Sequence, residues 1–146
     1  MPKRINRVFI AFKNFIGKKI QRLTKYARAN TKVAHYIYKG EKMSAQNIDR
    51  QGFETLKSQD KPLFIEFYKD GCSPCRAMSP IVDELAQERD DIIVGKINVE
   101  SEPELAAAFG VRGVPTTVVL INGKVVNQST GLRRKTELLA LLDGYK

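Results

Sequence analysis

The chain has no tryptophan, one histidine and two cysteines among its 146 residues. Two cysteines cannot staple a disulfide-dense mini-domain. They also fall short of the four Cys/His ligands of a structural zinc, because the single histidine, His35, lies far from them in the chain. No apolar run approaches the roughly twenty residues a membrane-spanning helix needs. Acidic residues are missing from the first forty positions, where seven lysines and four arginines carry +11. The remainder holds 14 basic and 16 acidic residues, a net −2, so the formal +9 of the whole chain belongs to one segment. A composition 42% hydrophobic and 28% charged excludes a wholly disordered chain, and the length fits one domain with an appendage. The switch in charge pattern near Gly40 and Glu41 puts the boundary between a basic extension, residues 1–42, and a folded domain, residues 43–146.

Within that domain, Leu63-Phe64-Ile65-Glu66-Phe67-Tyr68 is a short apolar run introduced by Pro62 and stopped by Asp70-Gly71, which reads as a buried strand. Met78, Ile81, Val82 and Leu85 then recur at helical spacing and predict a helix over 74–89, capped by Ser73, started by Pro74 and bent at Pro80. A second strand follows over 92–97, and a short helix over 103–109 ends at Gly110. Strands over 116–121 and 124–128 flank Asn122-Gly123, the dipeptide suited to a two-residue type I′ hairpin. Helices over 49–57 and 132–142 open and close the domain. The order β–α–β, hairpin, helix describes an α/β fold: a mixed central sheet with helices on both faces.

Cys72-Ser73-Pro74-Cys75 falls where the first long strand hands over to a helix. The positive end of the helix and its free N–H groups favour a thiolate, lowering the pKa of Cys72 from a free value of about 8.5 toward neutrality. Cys75, three positions on, is close enough to displace a mixed disulfide formed at Cys72, so the pair can pass two electrons to a substrate disulfide. Against this stand two inert buried cysteines, half a zinc site or a structural disulfide. The strand-to-helix placement favours the redox reading.

The segment from Phe64 to Arg76 resembles the active-site strand and motif of the thioredoxin family. Pro80, Lys96-Ile97-Asn98-Val99, Val111-Arg112-Gly113-Val114-Pro115-Thr116 and Asn122-Gly123-Lys124 recur at thioredoxin-like intervals over roughly residues 45–146. The resemblance implies a thioredoxin fold and a protein-disulfide reductase, with Cys72 attacking, Cys75 resolving and no cofactor beyond the two sulfurs. It implies a cis Val114-Pro115 peptide beside the thiols, and a peptide groove formed by Ser73, Pro74, Val114, Pro115 and Gly131. Glu66 stands where the family usually has a buried Asp that relays protons to the resolving cysteine. Lys96 resembles the lysine that accompanies it. The family's usual tryptophan is replaced by Gly71, and Ser73 replaces the commoner glycine of the motif. Implied partners are disulfide-containing client proteins and a reductase that recharges the dithiol, in cell redox homeostasis and electron transport. A monomer in a reducing cytoplasm is expected.

The basic extension carries Ile5, Val8, Phe9, Phe12, Phe15, Ile16, Ile20 and Leu23 in steps of three or four with local doublets, a stripe that Lys19 interrupts and Ile10 leaves. Over residues 4–25 this predicts an amphipathic helix that can lie in the headgroup layer of an anionic membrane. An organelle-targeting peptide is the alternative, though serine is missing before Ser44. A nucleic-acid role is disfavoured because no recognised module accompanies the charge. Docking to a protein partner, or a functional start at Met43, also remains open. A second reading of the whole chain is therefore a binding or assembly module that contacts partners through its basic arm.

Overall fold

A computed structural model describes residues 45–143 of the chain. The amphipathic stripe over residues 4–25 and His35 lie outside the described residues. Five strands and four helices follow in chain order: β1 (Gln46–Asn47), α1 (Arg50–Leu56), β2 (Leu63–Tyr68), α2 (Ser73–Glu88), β3 (Ile93–Asn98), α3 (Pro103–Ala108), β4 (Thr116–Ile121), β5 (Lys124–Thr130) and α4 (Lys135–Ala140). The strands form one mixed sheet in the order β1-β3-β2-β4-β5. β1 and β2 run parallel to β3, while β4 is antiparallel to β2 and to β5.

β2 lies at the centre because its residues suit burial on both faces: Phe64, Ile65 and Phe67 are fully buried. Alternation along the strand sends Phe64 and Glu66 to one face and Ile65 and Phe67 to the other. On the first face Phe64, Val94 and Val119 pack with Met78, Val82 and Leu85 of α2 and with Leu138 and Leu142 from the C-terminal helix and the turn after it. On the second, Phe109 meets Phe53 of α1 edge-on at 5.4 Å between ring centroids and Phe67 at 5.5 Å. Aromatic pairs at these separations favour such offset geometries.

Three departures from the sequence reading have local causes. β1 is only two residues long and carries no periodicity of its own. It exists through pairing with β3, where Gly95 leaves the space that Ile48 fills. The closing helix starts at Lys135, three residues later than expected, because Arg134 is extended (φ −74°, ψ 159°) and its N–H donates to the Glu137 side chain at 2.8 Å. That one-sided cap, the Glu137 carboxylate accepting from the Arg134 N–H, fixes the helix start. Ser73 is not the cap of α2: the cap is Cys72, also extended (φ −82°, ψ 109°), with Ser73 and Pro74 as the first two helical residues. The helix continues through Pro80. The hairpin matches its turn chemistry, since Asn122 (φ 50°) and Gly123 (φ 73°) both take the left-handed conformation a type I′ turn needs.

Candidate active site

The end of β2 and the start of α2 bring the two sulfurs together. Gly71 turns the chain at φ +72°, a conformation that side chains with a Cβ rarely adopt, and so delivers Cys72 to the helix N-terminus. Space there is open around an added Cβ, so the backbone conformation rather than crowding suits this position to glycine in place of an aromatic wall. Cys72 and Cys75 form a disulfide with Cα atoms 5.2 Å apart. Cys72 Sγ also accepts the backbone N–H of Cys75 at 3.2 Å, so the sulfur performs the capping role usually given to a hydroxyl or carboxylate oxygen. An anion at that atom is favoured by this donor and by the helix dipole, the two influences that make a cysteine acidic. Both residues are buried, at 7% and 3% exposure, while Ser73 and Pro74 are exposed beside them.

The Val114-Pro115 peptide is cis, and the Val114 carbonyl oxygen lies 3.9 Å from Cys72 Sγ. Gly131 (φ +98°) donates its N–H to the Pro115 carbonyl at 2.8 Å, which ties the loop after β5 to the same rim. Cys72, Val114, Pro115 and Gly131 therefore line one edge of the site, and Leu132, next to Gly131, is half exposed there.

Behind the thiols a cleft of about 420 Å³ is lined by Glu66, Cys75, Ser79, Asp83 and Lys96, with Asp70 and Arg76 also along its wall. Glu66 is buried in the sheet at 1% exposure, and neither carboxyl oxygen has a hydrogen-bond partner. Burial pushes its pKa from 4.5 up to about 7; Lys96 pulls it down in part and Asp83 adds to the rise. Lys96 is the register neighbour of Glu66 on β3, yet its ammonium is committed elsewhere. It donates to Ser79 Oγ at 2.6 Å, to the Ser79 carbonyl at 3.3 Å and to Asp83 Oδ1 at 2.9 Å. Lys96 thus influences Glu66 through its field and bonds to α2. The sequence reading did not single out Ser79 and Asp83. Their signal is the i, i+4 spacing that puts both on one face of α2, the face carrying Cys75 and Met78.

Comparison with known proteins agrees with this geometry. The family model described as Thioredoxin matches residues 44–144. The chain is similar to the thioredoxin of Rickettsia bellii (strain RML369-C), 34% identical over 98 residues that cover 65% of this chain and 92% of that one. It is 33% identical to the thioredoxin of Griffithsia pacifica over 102 residues, covering 69% and 94%. Among solved structures, a point mutant of the thioredoxin from Halobacterium salinarum NRC-1 superposes with a TM-score of 0.65 at 34% identity, covering 69% of this chain and 88% of that one. A paired Cys72 and Cys75 at a helix N-terminus, on this sheet and with these relatives, means that the chain belongs to the thioredoxin family and is a thiol–disulfide oxidoreductase.

Proposed function

We propose that this oxidoreductase works as a reductant of protein disulfides. The observation that carries the reading is the N–H of Cys75 aimed at Cys72 Sγ, which favours a thiolate at the more accessible of the two sulfurs. In the reduced protein the Cys72 thiolate attacks one sulfur of a client disulfide. An S–S bond forms between Cys72 and the client as the client's own S–S bond breaks, and the departing client sulfur takes a proton from water. Cys75 then transfers its proton to the Glu66 carboxylate through the cleft and attacks Cys72 Sγ. The mixed disulfide breaks, the second client sulfur leaves as a thiolate and is protonated, and the pair ends as the disulfide seen here. Two electrons pass from Cys72 and Cys75 to the client, and a dithiol-delivering reductase returns them; the sulfurs themselves carry the electrons, so no bound cofactor takes part.

Glu66 acts in this scheme as proton acceptor, because a carboxyl with a pKa near 7 exchanges protons readily at neutral pH. Lys96 restrains the rise of that pKa. Val114, Pro115 and Gly131 bound the groove in which the client strand lies, with Ser73 and Pro74 on its opposite side. Removing the resolving thiol tests the sequence of events. The Cys75→Ser protein accumulates mixed disulfides with client proteins through Cys72, resolved on gels and released by dithiothreitol. Failure to accumulate them, with Cys72 still reactive toward small disulfides, would contradict the assigned order.

The same proposal covers location: a reducing cytoplasm, with residues 1–42 bringing the domain to an anionic membrane face. Support comes from the +11 charge and the Phe-rich stripe over residues 4–25. The full chain is expected to pellet with phosphatidylglycerol vesicles and residues 43–146 to stay in solution; equal pelleting by both rules the membrane role out.

A further inference from the structure

Among the described residues, three buried side-chain oxygens lack a hydrogen-bond partner: the two carboxyl oxygens of Glu66 and the hydroxyl of Thr117. Glu66 is 1% exposed and Thr117 is fully buried. They are register partners, Glu66 on β2 opposite Thr117 on β4. Residues directly opposed in an antiparallel pair project to the same face with Cβ atoms about 4.5–5.5 Å apart. The two orphans are complementary, since an ionised carboxylate only accepts while a threonine hydroxyl carries a proton to donate.

Neighbours on either side leave this pairing open. On β5, Thr117 faces Ser129, whose Oγ already accepts from Arg133 Nε at 2.8 Å. On β3, Lys96 is held by Ser79 and Asp83, and Asp83 Oδ1 also receives the Ala45 N–H at 3.2 Å. The carboxylate of Glu66 is thus the register neighbour of Thr117 whose oxygens carry no hydrogen bond at all. We propose that Thr117 is a positioning residue for Glu66: the two groups face each other without direct contact, and the Thr117 hydroxyl donates to the carboxylate through one shared water, holding it in the cleft beside Cys75. The consequence for catalysis rests on the reading of Glu66 as the proton acceptor; the hydrogen bond itself does not.

A donor to the charged form of a carboxyl favours ionisation, and a bond to an anion is stronger than one to the neutral acid. Loss of the Thr117 hydroxyl therefore moves the Glu66 titration upward. Other groups around Glu66 keep their places in such a variant: Lys96 from β3, Asp83 and Cys75 from α2, Tyr68 from β2 itself. On the same face α4 contributes Leu138, and Lys135 is bound to Glu84 and Glu88.

Thr117→Val keeps the branched shape and removes the hydroxyl, Thr117→Ser restores a hydroxyl without the methyl, and Thr117→Ala removes both should valine not be accommodated. In the full-length protein, the NMR titration of the Glu66 side-chain carboxyl carbon reads the interaction without reference to activity. In Thr117→Val or Thr117→Ala the midpoint is expected to rise by roughly half a unit to one unit, and in Thr117→Ser to stay within a few tenths of the parent. The release of a reporter thiol from a mixed disulfide at Cys72 should slow about threefold to tenfold at pH 6 in Thr117→Val and converge with the parent near pH 9. With Glu66→Gln as background, Thr117→Val should slow release no further. An unmoved Glu66 midpoint in both hydroxyl-free variants, or an equal rise in Thr117→Ser, overturns the proposal. A shifted midpoint together with parental release by Glu66→Gln leaves the hydrogen bond standing and removes Glu66 from the proton transfer.

Discussion

Serine at position 72 abolishes disulfide reduction while leaving the fold intact. A hydroxyl has the right shape to replace the sulfur as helix cap, and serine is among the preferred residues there, so α2 keeps its N-terminal bond to Cys75. The disulfide lost in the variant closes a loop with a sequence separation of only three, the case in which a cross-link constrains the unfolded chain least. Stability therefore changes little, whereas the chemistry vanishes, because an alcohol of ordinary acidity neither attacks a disulfide at neutral pH nor holds the electron pair that is passed on. In an insulin-reduction assay driven by dithiothreitol, Cys72→Ser is expected to run at the rate of dithiothreitol alone. Circular dichroism and the melting temperature of the reduced protein should match the parent. Activity retained by a properly folded Cys72→Ser protein would remove the assignment of Cys72 as nucleophile.

The second large effect is on stability and its dependence on pH. Glu66 has a folded pKa of about 7 against 4.5 for the free side chain, so the folded protein binds a proton more tightly than the unfolded chain. A raised folded pKa gives a contribution that is fully present below pH 4.5 and is lost as pH rises toward 7, with nothing further lost above it. The loss across that window is about 3 kcal/mol, a large share of the marginal stability of a domain this size. Urea unfolding of the oxidised protein at a series of pH values should show it as a difference between the parent and Glu66→Gln. The glutamine variant is expected to gain on the parent by about 3 kcal/mol between pH 4.5 and 8. Parallel stability profiles for the two proteins would mean that Glu66 titrates normally. The same destabilising burial gives the group a pKa suited to proton exchange at neutral pH, so site chemistry and stability are opposed at this residue.

Much of this arrangement was legible from residue order, for reasons that differ by element. β2 and α2 could be read because their apolar periods are long and Gly71 and the Ser73-Pro74 pair punctuate them. The hairpin was legible from Asn122-Gly123 alone, since few other dipeptides accept two left-handed residues. Glu66 stood out as a charge inside an apolar strand, and burial is what raises its pKa. Propensity alone points to the hydroxyl of Ser73 as the cap of α2; the backbone turn at Gly71 makes Cys72 the extended residue at the helix entrance instead. β1 lay beyond sequence reasoning, since Gln46 and Asn47 become a strand only by pairing with Gly95 and Lys96. The commitment of Lys96 to Asp83 and Ser79 is a tertiary fact linking β3 to α2, with no local signal on β3. Thr117 reads as one more β-branched residue in a strand until register sets it opposite Glu66.

All of the proposed chemistry depends on a reactive thiolate at Cys72. The most direct test is the rate of iodoacetamide alkylation of Cys72 in the reduced protein as a function of pH, followed by mass spectrometry of the Cys72 peptide. The bond from the Cys75 N–H and the helix dipole predict a midpoint well below the free-cysteine value of about 8.5, toward neutrality, with Cys75 alkylated far more slowly. A Cys72 midpoint at or above 8.5, or faster alkylation of the more deeply buried Cys75, would contradict the account.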